Sequence, residues 1–208
     1  MRFYSPPRGG LYMSVLLRPS IPASECMAVT ACTAVAVAAA VEQICGRRAE
    51  IKWVNDIMLD GKKLCGILTE GALSAETGLF EYLVIGIGVN VASAGFPEEL
   101  REVAASMFGD VENPPRAAVA AAILNLLYDK LKMLPQRTFM EEYRARSCVI
   151  GREIIMTDFA AGGAKSMARA LEVDDDGGLI VETPDGVRKL HSGEVSVRVI
   201  PSEGAGQP

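Results

Sequence analysis

Histidine is almost absent: the 208-residue chain carries one, His191. A Ser-His-Asp triad or a multi-histidine metal site would hang on that single side chain. Aromatic residues are scarce as well, at 6%, with one tryptophan, Trp53. Half of the residues are hydrophobic, so the core is expected to consist mainly of Ala, Val, Ile and Leu. Blocks of Lys and Arg are missing too, and the net charge is −5, which argues against nucleic acid as a partner. No run of 18 apolar residues escapes interruption by a charge or a proline, so no membrane span is expected. The most apolar stretch, Met27 to Val41, is too short for one. The opening residues Met1-Arg2-Phe3-Tyr4-Ser5-Pro6-Pro7 lack the apolar centre of a signal peptide. The five cysteines (Cys26, Cys32, Cys45, Cys65 and Cys148) are odd in number and form no CxxC pair. A disulfide framework or zinc knuckle is thereby disfavoured, and buried reduced thiols in a cytoplasmic protein are expected. What remains for chemistry is Lys, Asp, Asn and backbone amides.

The length suits one domain, or a large domain with a small appendage. Residues 11–18 read as a strand, broken by Pro19 and Pro22. The dense Ala/Val pattern from Glu25 to Cys45 predicts a largely buried helix, with Ser24 as N-cap and Gly46 as C-cap. A short strand over 50–54 follows. Asp60-Gly61 between apolar runs predicts a hairpin that pairs 57–59 with 63–69. Residues 80–91 read as a central strand. Helical patterns cover roughly 98–107, 115–133 and 138–148, with Asn113-Pro114-Pro115 as a helix entry. From Gly151 the texture becomes short alternating strands with turns at Asp174–Gly178 and Asp185-Gly186, which suits a small β-barrel. The Gly/Pro-rich tail 201–208 is expected to be disordered.

Three segments could carry chemistry. Lys52-Trp53-Val54-Asn55-Asp56 gathers a cation, an amide and a carboxylate where a strand leaves the sheet. A strand-end ion pair with an Asx-turn would account for it equally well. Lys62-Lys63 precedes the apolar run 64–68, which contains Gly66. A lysine beside a bare strand glycine suits a carboxylate or phosphate, though lysines near a turn are usually just solvated. In Val84-Ile85-Gly86-Ile87-Gly88-Val89-Asn90-Val91 the alternate residues Gly86, Gly88 and Asn90 share one face. A flat ring could lie there, or a packed helix; a dinucleotide fingerprint is excluded, because the third glycine and the following helix are missing.

The succession Gly10-Leu11-Tyr12-Met13-Ser14, Lys52 to Asp56, Lys62-Lys63-Leu64-Cys65-Gly66-Ile67-Leu68 and Gly86 to Val91 resembles the catalytic domain of biotin–protein ligases. Ser192-Gly193-Glu194-Val195-Ser196-Val197-Arg198 resembles the close of that family's C-terminal barrel. The resemblance implies an α+β fold: a mixed or antiparallel sheet packed with helices, like class II aminoacyl-tRNA synthetases, over residues 1–149. A small SH3-like β-barrel would follow over 150–200. It implies synthesis of biotinyl-5′-AMP from biotin, ATP and magnesium, then transfer of biotin to a lysine of a biotin carboxyl carrier protein. Carried over by motif, Lys63 would contact the biotin carboxylate and the α-phosphate. Asp56 would orient or deprotonate the acceptor lysine, or help hold metal. Lys52 and Asn55 would support the phosphates. Gly66, Ile67, Gly86 and Gly88 would border the biotin rings, Asn90 would lie on the nucleotide side, and Phe3 would stack on adenine. Val54 stands where the family usually has proline. Against the family pattern the chain is expected to lack an upstream Ser-Thr-Asn segment, most of a Gly/Arg-rich loop and any helix-turn-helix. A non-catalytic homologue that binds biotin, nucleotide or carrier weakly is the alternative, and a purely structural module the third reading. The family also allows a homodimer formed by joining sheets.

Overall fold

The computed structural model describes residues 9–93, 95–159, 162–191 and 195–200. The sequence-based assignments to Phe3, to Ser192–Glu194 and to the tail lie outside these residues. Strand β1 is Gly10–Leu17, followed by helix α1, Cys26–Cys45. Strands β2 (Glu50–Lys52), β3 (Asp56–Leu59), β4 (Lys62–Leu73) and β5 (Phe80–Asn90) complete a five-stranded sheet of order β1-β5-β4-β3-β2. All of its ladders are antiparallel. The strand predicted to be central, β5, is interior but lies one place from the β1 edge.

Helix α1 is apolar on almost every side, and its residues from Ala28 to Ala38 are buried without interruption. Its small side chains let the sheet approach closely. The underside of the sheet sends Ile51, Ile57, Cys65, Ile67, Ile85, Ile87 and Val89 into this core, each 2% exposed or less. Thr33, buried in the same helix, satisfies its hydroxyl by donating to the Val29 carbonyl at 2.8 Å. With its preceding 3-10 turn the helical segment runs Ala23–Cys45, long and apolar enough to cross a membrane, contrary to the shorter length read from the sequence. Of its most apolar window 72% is buried inside the protein, as befits a core helix. The N-cap also differs from expectation. Glu25, not Ser24, precedes α1, and it makes no side-chain cap bond, because its carboxylate accepts from Arg137 at 2.6 Å. Gly46 closes the helix in the left-handed conformation, φ 70°.

Helix α2, Arg116–Lys132, packs along α1, and α3, Phe139–Arg146, leads to the second unit. The helix predicted over 98–107 is absent apart from a 3-10 turn at Glu98–Leu100. Tertiary pairing overrides local propensity here: the Lys63 N–H donates to the Val103 carbonyl and the Ala105 N–H to the Lys63 carbonyl, both at 2.8 Å. Strands β6 (Glu153–Asp158), β7 (Ala164–Val173), β8 (Leu179–Thr183), β9 (Gly186–Leu190) and β10 (Val195–Val199) form a second antiparallel sheet, ordered β10-β6-β7-β8-β9. Its inner side chains Ile154, Met156, Ala170, Leu179 and Val181 are all buried. The architecture is α+β, with a helix-backed sheet and a small C-terminal β-unit.

Asp60 and Gly61 have φ of 49° and 74°, the double left-handed geometry of a two-residue hairpin. Gly61→Val should lower unfolding free energy by about 1–2 kcal/mol, the usual penalty for a side chain in that region; an unchanged urea midpoint would contradict this. Burial alone would raise the Glu142 pKa, but hydrogen bonds from Lys130 (2.7 Å) and Arg146 (3.0 Å) outweigh it and hold the carboxyl below its ordinary value. A depressed carboxylate stabilises the fold above the unfolded-state pKa, and that stabilisation is lost as pH falls through the folded-state value. Glu142→Gln should therefore flatten the acid side of the stability–pH curve, read by thermal melts from neutral pH downward.

Candidate active site

The open face of the first sheet is built from one line of register partners. Lys52 pairs with Asp56 across β2 and β3, Asp56 with Gly66, Gly66 with Gly88, and Gly88 with Tyr12. Antiparallel partners point to the same side of a sheet, so a lysine and a carboxylate stand beside a two-glycine floor, with a tyrosine beyond. Gly86 lies one row on, between Leu68 and Ser14.

Lys63 reaches this face through an irregularity. Residues three apart in a regular strand point to opposite sides, which would set Lys63 against Gly66. A register shift between Ile57 and Met58 leaves Leu64 as an extra residue on β4. Leu64 and Cys65, consecutive, are both 1% exposed and turned to the core. The bulge thus returns Lys63 to the open side, where its ammonium forms an ion pair with Asp56 Oδ1. A Cβ on Gly66 would lie 3.4 Å from Lys63 Nζ and 4.0 Å from Asp56 Oδ1. The pair therefore spans the bare glycine.

Asn55 and Asn90 act as braces. The Asn55 amide donates to the Ile67 carbonyl at 2.6 Å while the Ile67 N–H donates to the Asn55 carbonyl at 3.0 Å. The Asn90 amide donates to the Ala105 carbonyl at 3.0 Å. Ile67 itself points into the core, 2% exposed. Its side chain does not border the open face; Leu68, 57% exposed, stands on the glycine side instead. Phe3 lies outside the described residues.

A cavity of about 1020 Å³ opens between this face and the second sheet. Lys52, Asp56, Lys63, Gly66, Gly88 and Asn90 line one wall; Arg152 and Arg198 come from the C-terminal unit. Four basic side chains (Lys52, Lys63, Arg152, Arg198) meet three acidic ones (Glu50, Asp56, Glu102) there. The local balance is positive although the chain is net −5, which suits an anionic ligand. Arg152 enters beside the motifs only because the C-terminal unit folds back on the first sheet, and no local sequence signal marks it. Cys148 lines the cavity too, but burial pushes its thiol up to about 11, helped by Glu50. Burial likewise raises Cys26, Cys32 and Cys65, so none of these four is a thiolate nucleophile at neutral pH. All five cysteines are free, but Cys26, Cys45 and Cys148 are only half-buried, against the expectation of burial throughout. His191 is exposed and does not line the cavity. Among the described residues no three His, Cys, Asp or Glu side chains gather as a metal site. Asp56 is a lone carboxylate paired with an ammonium and builds no resident metal cage.

Residues 2–90 match the biotin/lipoate A/B protein ligase family, and residues 149–198 match the biotin protein ligase C-terminal domain. The bifunctional ligase/repressor BirA of Bacillus spizizenii is 33% identical over 204 residues, covering 94% of this chain and 60% of that protein. The biotin–[acetyl-CoA-carboxylase] ligase of Paracoccus denitrificans is 30% identical, covering 91% and 80%. The biotin protein ligase of Aquifex aeolicus, solved in complex with biotin and ATP, superposes with a TM-score of 0.74 at 27% identity, covering 92% of this chain and 79% of that one. The chain belongs to the biotin–protein ligase family. It spans 60% of the length of the Bacillus relative.

Asn55→Ala removes the 2.6 Å bond that ties the turn to β4. It should cost about 1–2 kcal/mol, since the part-buried Ile67 carbonyl loses its donor; a denaturation midpoint equal to wild type would show that the brace carries no load.

Proposed function

We propose that the chain is a biotin–protein ligase: it activates the biotin carboxylate with ATP to biotinyl-5′-AMP, releasing pyrophosphate, and passes biotin to a lysine of a carboxyl carrier protein, releasing AMP. The observation that carries this reading is the Lys63–Asp56 pair over the Gly66–Gly88 floor, in a cavity of positive balance. Adenylation drives one anion, a carboxylate, against another, a phosphate. The Lys63 ammonium would offset the charge that accumulates between them. The glycine floor lets a flat bicyclic ring approach the backbone without meeting a Cβ. Lys52, one register place beyond Asp56, together with Arg152 and Arg198, would face the nucleotide phosphates. Magnesium would arrive with ATP, since that ion commonly keeps phosphate and water ligands and asks for only one or two carboxylates.

In the second half-reaction the acceptor amine must lose a proton to attack the mixed anhydride. Asp56 would orient that amine and accept the proton, a reading supported by its position beside Lys63 on the open face. The free thiols and the use of ATP favour a cytoplasmic setting. The outer edge of β1 would serve a second copy if the protein dimerises through its sheets.

The test is incubation of the 208-residue chain with biotin, ATP, magnesium and a carrier domain, following adenylate by chromatography and biotinylated carrier by mass. Wild type should produce both. Lys63→Ala should slow adenylation by about 100-fold or more, the usual loss when one charge-stabilising donor is removed. A wild-type chain that binds biotin by calorimetry yet forms no adenylate would instead mark a non-catalytic binding protein.

A further inference from the structure

Trp53, Val54 and Asn55 join Lys52 at the end of β2 to Asp56 at the start of β3. Each of these turn residues is gripped by a different part of the molecule. Asn55 is tied to Ile67 of β4. The Val54 carbonyl accepts a hydrogen bond from the Tyr143 hydroxyl of α3 at 3.1 Å, in a buried setting. The Trp53 indole N–H donates to the Gly177 carbonyl at 2.9 Å, also buried. Gly177 lies in the loop between β7 and β8, 124 residues along the chain, so this bond runs from the motif to the C-terminal unit.

The loop is well placed to act as a stop. Asp174 Oδ1 accepts from the Asp176 N–H at 3.1 Å and the Gly178 N–H at 2.8 Å. Arg144 of α3 donates to the Val173 carbonyl at 2.9 Å and to Asp175 at 3.0 Å. Lys189 pairs with Asp174 at 2.6 Å. Gly177 has φ +87°, and a Cβ there would lie 3.5 Å from the Met27 backbone at the start of α1. The loop is therefore wedged between α1 and the turn. Trp53 is 6% exposed and Tyr143 fully buried; a buried indole or phenol needs a partner for its polar end, and here both partners are backbone carbonyls at this one junction.

We propose that Trp53 and Tyr143 are positioning residues, through which the β7–β8 loop and α3 hold Lys52 and Asp56 in register against Lys63. The catalytic consequence rests on the ligase reading above; the mechanical consequence does not. The full chain is tested as Trp53→Phe, Tyr143→Phe, Gly177→Ala and the double variant Trp53→Phe/Gly177→Ala.

Each single variant should lower kcat for biotin adenylation about tenfold, the equivalent of one buried hydrogen bond, with KM for biotin and ATP within about threefold of wild type. Gly177→Ala keeps the carbonyl but strains the loop at φ +87° and so displaces the acceptor whose donor Trp53→Phe removes; the double variant should therefore be no slower than the slower single, because both changes act through the same bond. Hydrogen exchange of the ligand-free protein should quicken about tenfold over residues 52–58 in Trp53→Phe, while β6 and β8 keep their protection. Wild-type kcat in Trp53→Phe, additive losses in the double variant, or unaltered exchange over 52–58 overturns the proposal. If wild type makes no adenylate, the ligase reading fails, and the exchange measurement still decides this one.

Discussion

Helix α1 carries so much alanine and valine that a sheet can settle directly on its backbone. That contact takes up one face of the first sheet: the register row Ile51, Ile57, Cys65 and Val89, with Ile85 from a neighbouring row, is sealed into the core. The pleat then dictates the rest. Every residue that alternates with these must face the other way, so Lys52, Asp56, Gly66, Gly88 and Tyr12 are delivered to the open side as a row, without needing any interaction among themselves. The site is in this sense the complement of the core. A slip of one residue in any ladder would bury a charge and expose an isoleucine, which explains why so polar a row can be held in fixed register.

One residue escapes that rule. Lys63 reaches the open side because the chain tolerates an extra residue at Leu64. The bulge sits just past the tight Asp60–Gly61 turn and is pinned on its outer side by the backbone of Val103 and Ala105. A long flexible cation is thereby brought over Gly66 from a short distance, and its counter-charge, Asp56, is already in the row. The charges of the cavity come from segments far apart in sequence, and their surplus of cations runs against the acidity of the whole chain.

Much of this was legible in the sequence, and the exceptions follow a pattern. The Ala/Val helix, the Asp60-Gly61 hairpin and the glycine face of β5 were readable because each is a local consequence of side-chain size or backbone freedom. The helix expected over 98–107 failed because its backbone finds partners on Lys63 and Asn90, which no window of sequence contains. The motif puts Ile67 on the ligand side, but it directly follows Gly66 in β4, and strand alternation turns its side chain to the core. The amides of Asn55 and Asn90, read as ligand contacts, each donate to a neighbouring carbonyl, a bracing role that the motif alone does not reveal. Arg152, the Gly177 carbonyl and the Tyr143 hydroxyl were invisible for a plainer reason. Arg152 and the Gly177 carbonyl reach the site through the docking of the C-terminal unit, and the Tyr143 hydroxyl through α3, relations between segments more than eighty residues apart.

The pairing of Lys63 with residues 103–105 carries a further meaning. Both hydrogen bonds of that bridge belong to the lysine's own peptide groups, and the same segment is clipped to β5 by the Asn90 amide and by the Met107 N–H on the Asn90 carbonyl. The cavity wall from Leu100 to Ala104 is consequently not a flap hung beside the lysine but an outrigger of the strand that bears it. Any swing of that wall would drag on the β4 backbone at Lys63 or first tear two bonds.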